Sequence, residues 1–163
     1  MKKIMLGLIL SLVFIGCSSD NKDAAPKIVI GKSLSNLDLK DQFEKAVSIN
    51  ADTKKVIFAF SKDVAHTCND YFAMQTPTFL ADNKTQFIAD VSSAPSLIRS
   101  LFIIPGLKDF KHTVIILDDK DIAAPFRNGV DTEKIVVVYL ENNVITDIKK
   151  LNGEADLKEF IDN

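Results

Sequence analysis

Four short, mainly apolar runs set the secondary-structure pattern of the chain after residue 50. They cover residues 56–60, 86–91, 113–117 and 135–140, and each is bounded by charged or polar residues. Apolar runs of this length are typical of strands that are buried on both faces of a sheet. We therefore predict a central sheet that is covered on both sides.

The segments between these strands favour helices. Residues 68–82 predict a helix interrupted near Pro77, because proline lacks the amide hydrogen that a helix interior requires. Residues 93–102 predict a second helix, with the apolar stripe of a helix that packs against a core. That stripe consists of Leu97, Ile98, Leu101 and Phe102.

The last third of the chain predicts a short helix, a hairpin and a closing helix. The short helix lies near residues 123–127, and residues 141–143 form a tight hairpin turn, because Asn tolerates positive φ. Residues 154–161 have the spacing of an amphipathic helix. Parallel strands with helical crossovers, followed by an antiparallel pair, predict an α/β sandwich with a mixed sheet.

The start of the chain has the pattern of an export signal. Two lysines are followed by residues 4–15 without any charge, and Cys17 comes shortly after them. This run of about twelve residues is typical of a secretory signal peptide and is shorter than the roughly twenty residues that span a bilayer. Residues 14–17 resemble the bacterial lipobox, with Phe14 where Leu is usual. The resemblance implies that Cys17 is acylated and becomes the new N-terminus.

These observations predict three regions. Residues 1–16 are the signal peptide, residues 17–26 are the lipid-anchored Cys17 with a flexible linker, and residues 27–163 are one folded domain. Ser18 after the acylated cysteine resembles outer-membrane sorting in enteric bacteria. We therefore expect a periplasm-facing protein that is anchored in the bacterial membrane, and in the outer rather than the inner membrane.

Composition and charge fit one globular domain and disfavour nucleic acid as a partner. The 163 residues are 47% hydrophobic and 26% charged, with a net charge of −2. Without the first 16 residues, 18 basic and 22 acidic residues remain, a net charge of −4. A phosphate-binding surface requires the opposite balance.

Three segments in order resemble the thioredoxin-like superfamily, in its redoxin or peroxiredoxin-type arrangement. Residues 37–49 are similar to the opening L-x-D-x-x-G-K-x-V-S-L, with Glu44 in place of Gly. Residues 56–68 resemble the strand-to-helix segment V-L-V-x-F-W-A-x-W-C-x-x-C, and residues 119–130 look like D-x-x-G-x-x-A-x-x-Y-G-V. The resemblance implies a three-layer α/β sandwich, with a central mixed sheet and helices on both faces.

The active-site pattern of that superfamily is degenerate in this chain. Ala65 stands where the attacking cysteine is expected, so only the position of the resolving cysteine, Cys68, is kept. A two-cysteine cycle within one molecule is therefore chemically impossible. Measured against peroxiredoxins, Ser61 and Ala65 replace the expected Pro and Thr, and Lys134 replaces the cis-proline of thioredoxins.

A reactive thiol and an inert thiol are both open at this stage. If acylation consumes Cys17, Cys68 is the one thiol of the domain and an internal disulfide is excluded. A position at the start of a helix would favour its thiolate, whereas a shielded Cys68 would act as a small hydrophobic side chain. The candidate catalytic residues are Cys68, His66, Thr67 and Arg127. His66 would lower the thiol pKa if it is protonated, and the resemblance implies the same for Arg127.

Metal and cofactor chemistry have little sequence support. The residues that would hold copper or zinc are His66, Cys68 and His112. Copper-carrying thioredoxin-like proteins use two cysteines and one histidine, so we predict neither a metal nor a cofactor. Phosphate-loop, nucleophile-elbow and zinc-protease motifs are missing from the sequence.

Three functions remain open. The first is a membrane-anchored lipoprotein with a single-cysteine thiol-redox role through Cys68, which would act as an oxidoreductase or peroxidase on an envelope protein or a small thiol. The second is a non-catalytic protein-binding module of the cell envelope. The third is a carrier for copper or for haem assembly.

Overall fold

A seven-stranded mixed sheet lies at the centre of the computed structural model, which describes residues 24–35 and 37–162. The predicted signal peptide and Cys17 lie outside the described residues. The strands in chain order are β1 (Leu39–Asp41), β2 (Ala46–Val47), β3 (Lys55–Ala59), β4 (Thr85–Asp90), β5 (Ile115–Leu117), β6 (Ile135–Glu141) and β7 (Val144–Leu151).

The sheet combines a parallel centre with antiparallel edges. Its spatial order is β2-β1-β5-β4-β3-β6-β7. Strands β3, β4 and β5 run parallel, while β6 pairs antiparallel with β3, and β7 with β6. The predicted mixed sheet and its four buried strands are confirmed, and the hairpin β1–β2 adds one edge.

Among the described residues, six α-helical segments connect and cover the strands. They are α1 (Lys62–Ala73), α2 (Phe79–Asp82), α3 (Ser96–Ile98), α4 (Ile104–Leu107), α5 (Lys120–Arg127) and α6 (Glu154–Asp162). A π-helical segment, Arg99–Ile103, joins α3 to α4. No helix in the described part of the chain is long and apolar enough to cross a membrane.

Helix α1 begins six residues before the predicted start at Cys68. Ser61 is its N-cap, in extended conformation, and the Ser61 carbonyl accepts the first helical bond from the Ala65 amide. Val64, Cys68 and Phe72 recur every four residues, so they share one face of the helix and pack on the sheet. The predicted interruption near Pro77 is confirmed, since α1 ends before it and α2 follows it.

Alternating strand residues build two separate cores, one on each face of the sheet. On one face, Val56 and Phe58 pack with Phe126 of α5 and with Leu34 of the N-terminal segment. On the other face, the neighbouring strand residues pack against α1, α2, α4 and α6, and they include Ile57, Phe87 and Val137. The period of two along each strand sends successive side chains to opposite faces. The predicted covering of both faces is confirmed.

The turn between β6 and β7 has the predicted form. Asn142 and Asn143 have φ values of 49° and 64°, in the left-handed region that Asn tolerates better than most residues. The hairpin pairs Ile135 with Leu151 at its open end. It carries the chain directly into α6, whose Leu157 is fully buried.

The helix predicted over residues 93–102 forms, but its apolar stripe faces outward. Leu97, Ile98, Leu101 and Phe102 are all exposed, whereas Leu107 further along is buried. Leu101 and Phe102 lie within the π segment itself, and Pro105, two residues after it, has no amide hydrogen for a bond to the Leu101 carbonyl. At about 100° per residue, Ile103, Ile104 and Leu107 lie on the other side of this helical stretch, and that side packs on the core.

Candidate functional site

The segment that corresponds to the active-site position in the resemblance runs from the end of β3 into α1. Cys68 is the seventh residue of α1, nearly two turns from the N-cap Ser61. Its side chain is fully buried in the core between α1 and the sheet. The expected position at the helix start is wrong, because α1 already begins at Lys62. The helix dipole acts within the first turn and contributes little at this depth.

Burial raises the pKa of the Cys68 thiol to about 12. The cause is loss of solvation, which disfavours the charged thiolate inside an apolar core. At neutral pH about one thiol in 10⁵ would be ionised, and the thiolate is the nucleophilic form. The environment of Cys68 is therefore that of a structural cysteine.

His66 and Thr67 do not form a site with this thiol. His66 is exposed, and residues two apart on a helix point in different directions. The Thr67 hydroxyl donates to the Asp63 carbonyl at 3.0 Å, one turn earlier in the same helix. Neither predicted partner of Cys68 therefore contacts the thiol: His66 lies on the surface of α1, and Thr67 bonds to its backbone.

Arg127 lies on the other side of the sheet from Cys68. Its Nε donates to Oδ2 of Asp90 at 2.5 Å, and the Asp90 side chain is completely buried. Along β4, Asp90 shares a face with Ile88, which belongs to the core that contains α5. Cys68 belongs to the opposite core. The guanidinium therefore neutralises a buried carboxylate and cannot lower the pKa of the thiol.

His112 is the buried histidine of the domain, and aromatic rings surround it. Its centroid lies 5.5 Å from that of Phe72 and 5.1 Å from that of Phe110. Nε2 lies 3.0 Å from Oδ1 of Asn69, an oxygen that only accepts, so Nε2 carries the hydrogen. Nδ1 is buried and has no hydrogen-bond partner among the described residues. Burial lowers the pKa of His112 to about 4, so the ring is neutral at pH 7.

The three candidate metal ligands do not form a set. His66 is exposed on α1, while Cys68 and His112 are buried. Within residues 24–35 and 37–162, no three His, Cys, Asp or Glu side chains are placed to hold a metal ion. The residues present therefore do not fit a copper or zinc centre.

Sequence reasoning missed a polar cavity at the edge of the sheet that β1 and β2 form. It has a volume of about 470 Å³ and lies between the β1–β2 hairpin, residues 48–53 and α2. Gln86 lines the cavity and connects two parts of its wall. The side-chain amide of Gln86 accepts from the Thr53 hydroxyl and donates to the Ser48 carbonyl. Lysines and aspartates both line it, so its charge does not select one class of ligand.

The outward stripe on α3 and the π segment is the other surface feature, and we call it the apolar face. It comprises Leu97, Ile98, Leu101 and Phe102, which are 65%, 43%, 57% and 68% exposed. Single exposed apolar side chains are ordinary on soluble proteins, whereas four neighbouring ones make this face a candidate interaction surface. The stripe itself is visible in the sequence, but the side of this stretch that meets the core is the one with Ile103, Ile104 and Leu107.

Solved structures resemble this arrangement. The peroxidoxin from Mycobacterium tuberculosis matches with a TM-score of 0.52 and 11% identity, over 82% of this chain and 94% of that chain. The thioredoxin domain of a thiol-disulfide oxidoreductase from Bacteroides vulgatus matches with a TM-score of 0.50 and 16% identity, over 82% and 98%. The fold is thioredoxin-like. This confirms the predicted α/β class and the central mixed sheet.

No family model and no curated protein matches the chain. At 11% and 16% identity the structural likeness establishes the fold alone, because one fold hosts many functions. The redoxin or peroxiredoxin-type arrangement therefore stays a prediction. Function must be argued from the residues of this chain.

Proposed function

We propose that the chain is an exported envelope lipoprotein whose thioredoxin-like domain is a non-catalytic binding module. The burial of Cys68 carries this proposal. The thiol is fully enclosed, burial raises its pKa to about 12, and Ala65 stands where an attacking cysteine would be. A domain that keeps this fold without a reactive thiol retains a rigid scaffold with surfaces for recognition.

The thiol-redox alternative requires features that the geometry around Cys68 does not supply. Catalysis needs a thiolate that a substrate disulfide or peroxide can reach. His66 is exposed on α1, and Arg127 is paired with Asp90 in the other half of the domain. Neither residue stabilises a negative charge on Cys68. The protein would therefore bind its partner without electron transfer.

The lipid anchor on Cys17 is the second part of the proposal, and it rests on the sequence. Residues 14–17 resemble a lipobox, and residues 18–26 are small and polar, as expected of a spacer. Acylation at Cys17 would hold the domain at the membrane with its surfaces free for an envelope partner. The periplasm-facing side of the outer membrane remains our expectation.

Counting the reactive thiols by mass spectrometry tests both parts. The full chain is produced in a bacterial host, purified from its membrane, and alkylated in the folded state and in urea. We expect no modified cysteine in the folded chain and one in urea, because acylation consumes Cys17 and folding shields Cys68. A Cys68→Ala variant should give none in urea.

Two other results would contradict the proposal, and they are distinguishable. Two thiols in urea would show that Cys17 is not acylated, which refutes the lipid anchor. Rapid modification of Cys68 in the folded chain would refute the inert thiol and restore the redox alternative.

A further inference from the structure

The apolar face has the chemistry of a surface that contacts a lipid bilayer. We propose that Leu97, Ile98, Leu101 and Phe102 lie in the boundary between headgroups and acyl chains of the membrane that holds Cys17. This inference rests on the proposed lipid anchor and adds an orientation to it. The domain would sit on the bilayer, with α3 and the π segment against it.

The exposure of these four side chains is not a by-product of core packing. The same helical segment already supplies the core with Leu107, which is buried, and with the half-buried Ile103 and Ile104. Other exposed apolar side chains, such as Met74 and Phe43, lie on separate elements. The apolar face therefore concentrates, on about two turns, hydrophobic surface that does not contribute to the core of the domain.

The charge pattern of the helical stretch favours a lipid surface. Residues 91–108 contain no Asp or Glu, and their charged side chains are Arg99 and Lys108. Of the two aspartates that border this stretch, Asp90 is buried and paired with Arg127, and Asp109 is exposed beside Lys108. Arg99 donates to the carbonyls of Ser92 and Ala94, which places a cation at the start of the segment. An apolar face whose own residues include cations and no carboxylates is typical of interfacial helices on anionic membranes.

The position of the apolar face fits an anchor at Cys17. The Ala24 carbonyl accepts from Asn128 at 2.6 Å, just beyond α5. Asp90, the last residue of the central strand β4, accepts from Arg127 of α5 and from the Ser92 amide. The chain from the anchor and the segment that leads into α3 therefore lie at the same end of the central strands, on opposite faces of the sheet.

The tether is short enough to keep the apolar face near the bilayer. Six residues separate Cys17 from Ala24, and a fully extended chain of this length spans about 24 Å. The acyl chains supply most of the membrane affinity, so the face needs only a weak additional interaction. Tethering makes that second contact intramolecular and raises its effective concentration.

Tryptophan fluorescence tests this inference directly, because the chain has no Trp. The full lipidated chain carries Phe102→Trp and is reconstituted into vesicles of phosphatidylethanolamine and phosphatidylglycerol, with and without brominated acyl chains. The matched control is Phe43→Trp, at a similarly exposed Phe in the β1–β2 turn, outside the apolar face. We expect a blue-shifted emission that brominated lipid quenches for Phe102→Trp, and neither effect for the control.

A second variant tests whether the whole apolar face takes part. Adding Leu101→Asp to Phe102→Trp should reduce the quenching several-fold, because one exposed Leu contributes on the order of tenfold in partitioning. Flotation of the vesicles separates the two claims. Chain that fails to float refutes the anchor, and this inference with it. A chain that floats while its Trp is not quenched leaves the anchor intact and overturns the membrane contact. A blue shift without quenching also overturns the membrane contact, because it indicates that the Trp lies in a protein interface.

Discussion

The buried histidine makes the stability of the domain depend on pH in a way that can be calculated. His112 has a pKa of about 4 in the folded chain, because burial disfavours its charged form, against 6.5 for the solvated side chain. The unfolded chain therefore takes up a proton between pH 6.5 and pH 4 that the folded chain excludes. The stabilisation from the neutral ring is fully present above pH 6.5 and is lost as the pH falls through this window.

The size of this effect follows from the two pKa values. A difference of one pKa unit corresponds to about 1.4 kcal/mol. His112 should therefore lower the free energy of unfolding by about 2 kcal/mol between pH 7 and pH 5, and by about 3 kcal/mol at pH 4. The change is large against the 5–15 kcal/mol that is usual for a domain.

Urea unfolding of three chains at pH 7, 5 and 4 measures this pH dependence of the free energy of unfolding. The wild type is compared with His112→Gln, which has no imidazole to titrate, and with His66→Gln, which removes the exposed histidine instead. Carboxylates contribute equally to all three, so differences between the pH profiles isolate each histidine. We expect His112→Gln to lose about 3 kcal/mol less than the wild type between pH 7 and pH 4, and His66→Gln to follow the wild type. Parallel profiles for the wild type and His112→Gln would refute the reasoning.

Three further predictions concern stability, and urea unfolding at pH 7 checks each one. Cys68→Ala should lower the free energy of unfolding by about 1 kcal/mol. Cys68→Ser should lower it more, because it buries a hydroxyl without a hydrogen-bond partner. Equal losses would contradict the apolar surroundings of the thiol. Arg127→Met should cost about 2 kcal/mol, since it leaves the buried Asp90 carboxylate without its cation, and a neutral result would contradict that pairing. Asn143→Gly should be neutral and Asn143→Ala should cost about 1 kcal/mol, because φ is 64° there; the reverse order would contradict the turn.

The sheet could be predicted from the sequence because its strands are buried on both faces. Residues 56–60 and 135–140 are continuous apolar runs, and such runs have few alternatives to a central strand. The turn at Asn142 and Asn143 could also be predicted from the sequence, because Asn itself tolerates the positive φ that the turn requires. These features depend on local sequence and on burial alone.

The candidate site could not be predicted, because it depends on where α1 begins. Lys62 and Asp63 are polar and read as a loop, but they form the first turn of the helix. This shift places Cys68 two turns inside the helix and in the core. The outward direction of the apolar face was missed because the same helical stretch carries a second apolar group, Ile103, Ile104 and Leu107, on its other side, and that group packs on the sheet. A helical period alone does not tell which of two apolar sides meets the core.

The state of Cys68 is the central claim, and the pH profile of its alkylation tests it most directly. The rate is measured from pH 6 to pH 10 in the folded chain and in urea. The account predicts a folded chain that reacts at least about a thousand times more slowly than the unfolded one, with no inflection below pH 10. A fast reaction at neutral pH with an apparent pKa below about 8.5 would contradict the buried thiol and the non-catalytic role.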